Sequence, residues 1–291
     1  MTRLAFWNAA TARLDAAGVE DARRNALWIV EDVTGANRAQ ILAKPETPLA
    51  EAARERAEEM VERRAMGEPV QYILGHTDFM DLRLTVTPAV LIPRPETEEV
   101  AEHALRCIRE VDAPWVLDIG TGSGALALAI AHARPDATVF AADLSPTALA
   151  VAARNADDLR LDVTFVQADA LQPQFADHVL PAFDLLVSNP PYVPREERAT
   201  LQREVRDHEP DLALFVDEDP LVFYRALAGH AGRLLQPDGW LVCETHADFG
   251  RDVADLFAEA GLAEASIARD LSGRERIASA RQQTTEALNA A

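Results

Sequence analysis

Apolar residues recur at helical spacing through the first 67 positions of the chain. The spaced positions are Leu4, Phe6, Trp7, Leu14, Ala26, Leu27, Ile29, Val30, Ile41 and Leu42. Gly18 and Gly35 interrupt the pattern where helices are expected to stop, and Pro48 opens a long charged helix that ends at Gly67. Residues 1–75 are therefore predicted to form a small all-α bundle. On an enzyme, such a bundle could be a structural cap or a recognition module.

The pattern changes to alternation between Phe79 and Ile92. Leu82, Leu84 and Val86 fall on one face, and polar residues fall on the other. Alternation of this kind is typical of half-buried strands. It predicts a β-hairpin, and residues 76–93 are interpreted as a linker between two domains.

From residue 94 onward, short apolar strands alternate with helices. Pro93 and Pro95 rigidify the entry to the first helix, which Thr97 is predicted to cap. The predicted strands are WVLDIG, TVFAAD, VTFVQAD, FDLLVSN and WLVCET, with helices over 124–133, 145–156, 219–235 and 248–260. This alternation favours an α/β, doubly wound, Rossmann-like domain over 94–291, with helices on both faces of a parallel sheet. The polar tail after Arg281 is predicted to be frayed.

Composition narrows the class of protein. No run approaches the roughly 18 apolar residues of a membrane helix, and the N-terminus lacks the apolar stretch of a signal peptide. Cys107 and Cys243 lie far apart in apolar surroundings and are expected to be free thiols, which fits a reducing cytoplasm. The net charge of −20, concentrated after residue 75, argues against a protein that binds nucleic acid by neutralising phosphates.

A glycine-rich loop follows the first α/β strand in VLDIGTGSGALALAI. Gly120, Gly122 and Gly124 allow a sharp turn and let a ligand lie against the backbone. The last glycine comes one position too early for the dinucleotide fingerprint, so the spacing disfavours a dinucleotide.

A second ligand group is expected 23 residues after Gly120, where Asp143 ends the next strand. Its carboxylate can accept both ribose hydroxyls of an adenosine. Ser145, followed by Pro146 at the first helical position, can cap the following helix and so frees Asp143 for a ligand.

A third strand end carries Asp169 and Ala170, which are placed where an adenine ring would lie. Asp169 could equally be an ordinary turn carboxylate. Asp118, just before the glycines, could hold a methionine amino group or support the loop through backbone N–H groups. Three successive strand ends with such groups predict S-adenosylmethionine as the cofactor, without a metal.

The fourth strand ends in Asn189, Pro190, Pro191 and Tyr192. The Asn189 side-chain oxygen and the Pro190 carbonyl can accept the two N–H bonds of a planar NH₂ group. The consecutive prolines lock the backbone, and Tyr192 is expected to supply an aromatic wall. These four residues are the candidate catalytic and substrate-binding residues. Adenine, cytosine and the Gln or Asn side chains all carry such an NH₂ group.

The chain resembles the HemK/PrmC family of peptide chain release factor N5-glutamine methyltransferases. The resemblance covers most of residues 67–245. The segments that carry it are GEPVQYILGHTDF, VLIPRPETEEV, VLDIGTGSGALALAIA, FAADLSPTALAVAARNA, FDLLVSNPPYVP, VRDHEPDLALF and LLQPDGWLVCE. It implies a class I S-adenosylmethionine-dependent methyltransferase domain preceded by the helical bundle and the β-hairpin.

The resemblance also implies roles for individual residues. The loop Gly120, Thr121, Gly122, Ser123 and Gly124, together with Asp143 and Asn189, would contact S-adenosylmethionine. The four residues from Asn189 to Tyr192 would hold the glutamine of a Gly-Gly-Gln loop, and the bundle would help to dock the release factor.

The same resemblance places Arg94 and the pair Glu96 and Thr97 over the site, with Glu209 and Pro210 as a buttress. A plain surface ion pair between Arg94 and Glu209 is the alternative. Asp81, Ala170 and the segment CETHADFG depart from the family pattern, which leaves the adenine contacts open.

Two other functions fit parts of the pattern. One is a DNA adenine-N6 or cytosine-N4 methyltransferase, which the acidic catalytic half and the lack of a separate basic domain disfavour. The other is a non-catalytic S-adenosylmethionine-binding module, which would not require an intact Asn-Pro-Pro-Tyr segment.

Overall fold

The computed structural model describes residues 1–179 and 182–283. The helices are α1 (Arg3–Ala16), α2 (Ala22–Thr34), α3 (Arg38–Ala43), α4 (Glu51–Ala65), α5 (Val70–Leu74), α6 (Pro95–Cys107), α7 (Ala125–Ala133), α8 (Pro146–Leu159), α9 (Phe175–His178), α10 (Arg203–His208), α11 (Asp211–Leu214), α12 (Val222–Leu234) and α13 (Gly250–Glu259). A 3₁₀ helix spans Arg195–Thr200.

The strands are β1 (His76–Phe79), β2 (Leu82–Thr85), β3 (Trp115–Ile119), β4 (Thr138–Asp143), β5 (Val163–Gln167), β6 (Phe183–Ser188), β7 (Val193–Pro194), β8 (Phe215–Val216), β9 (Leu235–Glu244), β10 (Ala263–Arg269) and β11 (Glu275–Arg281). The tail positions from 284 onward, which fall in the segment predicted to fray, lie outside the described residues. Residue contacts divide the chain into two units. One comprises Met1–His76 with Leu201–His208, and the other comprises Thr77–Thr200 with the residues from Glu209 on.

The first unit is helical, as the spacing of its apolar residues predicts. Phe6, Trp7, Leu14, Ile29 and Val61 are among the side chains buried in its core. The chain turns through positive φ at the glycines that follow α1, α2 and α4, where the sequence predicts helix ends. The long charged helix begins at Glu51, three residues later than Pro48.

A short segment from much later in the chain, Leu201–His208, completes this helical unit. Arg64 is buried, and its Nε donates to Asn25 Oδ1 at 2.8 Å. The same guanidinium forms an ion pair with Glu204 of α10. A buried guanidinium needs a carboxylate partner, so this ion pair ties the segment to the helical unit. The sequence-based boundaries, by contrast, give the segment to the α/β domain.

The predicted hairpin is present but is shorter and lies earlier in the chain. Strands β1 and β2 pair as a two-stranded sheet and end at Thr85, so strand structure does not continue to Ile92. The side chain of Asn155 accepts from the Thr85 N–H at 2.7 Å and donates to its carbonyl at 3.0 Å. These bonds satisfy the backbone at the strand end, and Pro88 soon after has no N–H to extend a ladder.

Seven strands form the main sheet of the second unit, in the order β10-β11-β9-β6-β3-β4-β5. The pairs among β9, β6, β3, β4 and β5 are parallel, as predicted. Strands β10 and β11 add an antiparallel edge that the sequence patterns did not predict. The parallel part carries the glycine loop and the Asn-Pro-Pro-Tyr segment.

Apolar side chains cover both faces of this sheet. Leu117 and Phe140 face a core that helices α9, α12 and α13 close. Val116 and Val139 face the opposite core, which is closed by α6, α7 and α8. The rigid sheet between the two cores holds its loops in fixed positions.

Candidate active site

The two loops singled out in the sequence leave neighbouring strands. Ile119 at the end of β3 pairs with Ser188 at the end of β6, and the Ser188 hydroxyl donates to the Ile119 carbonyl at 2.6 Å. Gly120 and Asn189 follow directly. The chain order of the strands reverses at this point of the sheet, which is where open α/β folds bind ligands.

Gly120 and Asn189 line the same cavity, whose volume is about 420 Å³. The carboxyl ends of β4 and β5 contribute Asp143 and Asp169 to its wall. Another part of the wall is the loop after the hairpin, through Pro88, Ala89, Val90, Leu91 and Pro93. The strand ends predicted to hold cofactor and acceptor therefore open into one space.

All three glycines of the loop have positive φ, but the space beside the last two differs. Gly124 has a φ of +86°, and a Cβ there would lie 3.0 Å from Leu128 Cδ1 and 3.2 Å from Ala152 Cβ. Gly122 has a φ of +56°, and a Cβ there would meet no atom within 4 Å. Gly124 thus allows the start of α7 to pack closely against α8. Gly122 instead leaves open space beside the backbone for a ligand.

Asp118 is buried at the foot of the glycine loop and lines the cavity. Its Oδ2 accepts from the Thr121 hydroxyl at 2.6 Å and from the Ala127 N–H at 3.2 Å. Its Oδ1 is buried and has no hydrogen-bond partner among the described residues. Burial raises the pKa of Asp118 to about 7. The carboxyl group supports the loop and also keeps one oxygen for a ligand.

Asp143 lines the cavity at the end of β4 and also holds the glycine loop. Its two oxygens accept from the Ser145 N–H at 2.8 Å and the Gly122 N–H at 2.9 Å. Ser145 caps α8, as predicted, because its hydroxyl accepts from the Ala148 N–H at 3.2 Å. Burial raises the pKa of Asp143, and the backbone N–H groups oppose that shift. Each carboxylate oxygen can accept more than one bond, so capacity for a ligand remains.

The third strand end presents an apolar rim. Asp169 accepts from the Leu171 N–H at 2.9 Å and from the Gln172 amide at 3.2 Å, which is the pattern of a turn carboxylate. Ala170 lines the cavity, and so do the exposed residues Leu144 and Leu171. These two leucines, which the sequence patterns did not single out, offer apolar surface to a ring.

The Asn-Pro-Pro-Tyr segment reaches the cavity through only two of its side chains. Asn189 and Pro191 line it, whereas Pro190 is buried and Tyr192 does not line it. The Tyr192 hydroxyl donates to Glu244 Oε1 at 2.9 Å, and burial and that carboxylate raise the pKa of Tyr192. Tyr192 therefore holds the loop through Glu244, and its expected role as an aromatic wall of the acceptor site stays a prediction.

Thr97 does not cap its helix, contrary to the prediction. Arg94 is the N-cap of α6, and Thr97 lies buried in the first turn. Its hydroxyl donates to Glu244 Oε2 at 2.6 Å and accepts from Asn189 Nδ2 at 3.1 Å. Glu244 was missed in the sequence. The available signal was a charged residue at the end of the apolar strand segment WLVCE.

Arg94 and Glu209 form an ion pair that is not a plain surface pair. The Glu209 side chain is only 1% exposed, and its Oε2 also accepts from the Ile92 N–H at 3.2 Å. Neither side chain lines the cavity, but their chain neighbours Pro93 and Pro210 do. The pair holds two wall segments in place.

Comparison with known proteins identifies the family. A family model described as PrmC N-terminal domain matches residues 6–75, and one described as Methyltransferase domain matches residues 116–208. The release factor glutamine methyltransferase of Deinococcus radiodurans is 42% identical over 94% of this chain and 96% of its own length. That of Geobacter sulfurreducens is 39% identical over 91% of each chain. The chain belongs to the release factor glutamine methyltransferase family.

The fold of this release factor glutamine methyltransferase family member also occurs in more distant methyltransferases. The solved structure of a methyltransferase from Pyrococcus furiosus matches 79% of this chain and 99% of its own chain, with a TM-score of 0.51 and 16% identity. At that identity, the match shows the Rossmann-like methyltransferase fold, which confirms the predicted fold class.

Further features of this family member concern thiols, metals and membranes. Cys107 and Cys243 are free, and burial raises the pKa of Cys107 to about 11. Among residues 1–179 and 182–283, no cluster of His, Cys, Asp or Glu could hold a metal ion. None of the helices in those ranges is long and apolar enough to cross a membrane.

Proposed function

We propose that this protein transfers a methyl group from S-adenosylmethionine to the side-chain amide nitrogen of the glutamine in the Gly-Gly-Gln motif of peptide chain release factors. The observation that carries the proposal is that the glycine loop after β3 and Asn189 after β6 line one cavity. Membership of the release factor glutamine methyltransferase family supports the choice of acceptor.

The cavity suits S-adenosylmethionine, which supplies an electrophilic sulfonium methyl group when bound. The unpartnered Oδ1 of Asp118 is a buried acceptor that would take a hydrogen bond from the methionine ammonium group. Asp143 would accept from the ribose hydroxyls. Leu144 and Leu171 offer apolar surface for the adenine ring, beside Asp169 and Ala170.

On the acceptor side, the residues must compensate for the poor nucleophilicity of an amide nitrogen. Its lone pair is shared with the carbonyl group. Asn189 Oδ1 and the Pro190 carbonyl would each accept one N–H of the glutamine, which fixes the plane of the amide and draws electron density toward the nitrogen. Orientation then dominates the rate, and we propose that the proton leaves late, to water.

The helical unit is proposed to help dock the release factor. Five of its helices, α1 to α5, share one hydrophobic core. This role follows from the family resemblance, and the Arg94–Glu209 pair is proposed to shape the acceptor side of the cavity.

The direct test is transfer of radiolabelled methyl groups from S-adenosylmethionine to purified release factor and, in parallel, to DNA. Mass spectrometry of the loop peptide should show one added methyl group on glutamine. A release factor with the loop glutamine replaced by glutamate is the matched control and should remain unlabelled. Label in DNA alone would instead support a DNA adenine-N6 or cytosine-N4 methyltransferase.

A further inference from the structure

Glu244 is a buried carboxylate at the end of β9. Strand β9 pairs in parallel with β6, which leads into the Asn-Pro-Pro-Tyr segment, here called the acceptor loop. Two hydroxyl groups donate to it. The Thr97 hydroxyl reaches Oε2 at 2.6 Å, and the Tyr192 hydroxyl reaches Oε1 at 2.9 Å. Because an ionised carboxylate can only accept, both hydroxyl hydrogens are committed to Glu244.

The hydrogen bond from Thr97 to Glu244 determines how Thr97 can bond to Asn189. A threonine hydroxyl has a single hydrogen, and here that hydrogen points to Glu244. The Thr97 oxygen can then only accept from the neighbouring amide of Asn189, 3.1 Å away. The amide atom that faces Thr97 must be the NH₂ group, so the orientation of the Asn189 side chain is fixed by its hydrogen bonds.

The other end of the Asn189 amide is its oxygen. With Nδ2 bound to Thr97, Oδ1 is the amide atom left to bind a ligand in the cavity. An oxygen there accepts from an incoming NH₂ group. A flipped amide would present its own NH₂ group and would repel the same ligand.

We propose that Glu244 is a positioning residue that sets the hydrogen-bond polarity of the acceptor site. Its carboxylate orients the Thr97 hydroxyl, which orients the Asn189 amide, so that an acceptor oxygen faces the substrate. The same carboxylate also holds Tyr192, so both ends of the Asn-Pro-Pro-Tyr segment are fixed by one side chain. This inference rests on the proposed function, because it assigns the acceptor to the class of planar NH₂ groups.

The charge on Glu244 is set by groups on several elements. Burial raises the pKa of Glu244, whereas the Thr97 and Tyr192 hydroxyls and the Arg276 guanidinium of β11 lower it, and Glu96 of α6 raises it. The Tyr224 hydroxyl of α12 donates to the backbone carbonyl of Glu244 at 3.0 Å. The carboxylate form is the one that satisfies both donor hydroxyls. A proton on Glu244 would compete with the Thr97 or Tyr192 hydroxyl for a carboxylate oxygen, so the orientation of the Asn189 amide would no longer be fixed.

The first test replaces a hydroxyl by a methyl group at two buried threonines. Thr97→Val removes the middle of the chain and should lower kcat by about 10- to 100-fold. Thr245→Val is the matched control because Thr245 is also buried, follows Glu244 directly and has an unpartnered Oγ1 among the described residues. It should retain wild-type kcat, and Thr97→Ser should rescue most of the rate.

The second test is Glu244→Gln, which keeps the volume of the side chain. Thr97 and Tyr192 donate to different oxygens of Glu244, and glutamine replaces one of those oxygens by an NH₂ group, so one of the two hydrogen bonds is lost. We expect a lower kcat and an unchanged Kd for S-adenosylhomocysteine. Removal of the buried charge raises Tm and loss of one hydrogen bond lowers it, so Tm should change little. At saturating cofactor, the wild-type kcat should fall at acid pH, and Glu244→Gln should lose that acid limb.

The outcomes separate the two levels of the argument. If wild-type protein does not methylate release factor, the proposed function is wrong. If wild-type protein is active and Thr97→Val matches its kcat, or Thr245→Val is as slow as Thr97→Val, the polarity inference alone is overturned. If Glu244→Gln is slower than wild type only at temperatures at which its lower Tm leaves it partly unfolded, the polarity inference is also overturned.

Discussion

The two sides of the cavity are built by different means. The glycine loop on the cofactor side bonds to the carboxylates of Asp118 and Asp143. It also bonds to the Ala142 carbonyl and the Asn155 amide, so these supports all lie within the stretch from 118 to 155. The acceptor loop is held by side chains from far away, with Asn189 bound to Thr97, 92 residues earlier, and Tyr192 bound to Glu244, 52 residues later. Cofactor geometry is thus a local property of the chain, whereas acceptor geometry is a property of the folded sheet.

This difference predicts that side-chain changes on the acceptor side alter the rate while sparing cofactor affinity. Backbone changes on the cofactor side should weaken cofactor affinity and have less effect on the rate at saturating cofactor. Asn189→Ala and Gly122→Ala test that division directly. Arg94→Ala and Asp118→Asn then test one buried support on each side of the cavity, and the four variants follow from the largest expected effect to the smallest.

Asn189→Ala removes the acceptor oxygen from the cavity. Methyl transfer should fall by roughly 10²- to 10³-fold, because one of the groups that stabilise the developing charge is lost. The Kd for S-adenosylhomocysteine, measured by calorimetry, should stay within about 2-fold of wild type. Unaltered turnover in this variant would refute the role assigned to Asn189.

Gly122→Ala places a methyl group in the open space beside the glycine loop. We expect the Kd for S-adenosylhomocysteine to rise roughly 10-fold, which corresponds to about 1.4 kcal/mol. Gly261→Ala is the matched control, since Gly261 also has positive φ and no atom within 4 Å of its Cβ position. Both variants should lose about 1 kcal/mol of stability, but only Gly122→Ala should lose affinity. Equal Kd values for the two variants would contradict the assignment.

Arg94→Ala leaves the buried Glu209 carboxylate without its cation. The free energy of unfolding should fall by about 2 kcal/mol, as measured by urea denaturation. Arg83→Ala is the control, because Arg83 pairs with Asp78 on the surface and its loss should cost at most about 0.5 kcal/mol. Equal losses in both variants would mean that burial of Glu209 has no energetic consequence.

Asp118→Asn should change the pH dependence of stability. Because the pKa of Asp118 is raised to about 7 in the folded protein, the folded state binds a proton that the unfolded state has already released. The contribution of Asp118 to the free energy of unfolding should therefore fall as the pH rises from about 4 to 7. Over that range, the Asp118→Asn variant should gain stability relative to wild type. Exposed Asp162 provides the control variant Asp162→Asn, whose slope should match that of wild type.

A linked effect concerns the cofactor. An ammonium group bound to Asp118 Oδ1 would stabilise the carboxylate, so the affinity for S-adenosylhomocysteine should rise a few-fold as the pH increases toward 7. The same titration on Asp118→Asn should be nearly flat. A rise of equal size in that variant would separate Asp118 from ligand binding.

The sequence predicted the parallel core of the sheet well because buried parallel strands are continuous apolar runs with glycine or polar residues at their ends. It did not predict β10 and β11. Their segments, AEASIAR and ERIASAR, are rich in alanine and serine and have few of the β-branched and aromatic residues that mark a strand.

At the site, the motif residues could be recognised in the sequence, but the buried residues that hold them in place could not. Asp143 and Asn189 stand at strand ends, where chain order alone brings them to one edge. Thr97 looked like a helix cap because its role depends on Glu244, a residue that only the folded sheet brings within 2.6 Å. Similarly, Glu209 could be paired with Arg94 from the sequence, but its burial could not be predicted.

The helical unit is discontinuous in sequence, because Leu201–His208 belongs to it by contact although 124 residues of the other unit, Thr77–Thr200, come first. No single cut in the gene can therefore release this unit whole. Deletion of helices α1 to α4 would leave Glu204 without Arg64. Recombination between relatives should for the same reason succeed only when both stretches are inherited from one parent, so the helical unit and the segment after the acceptor loop are expected to evolve as one block.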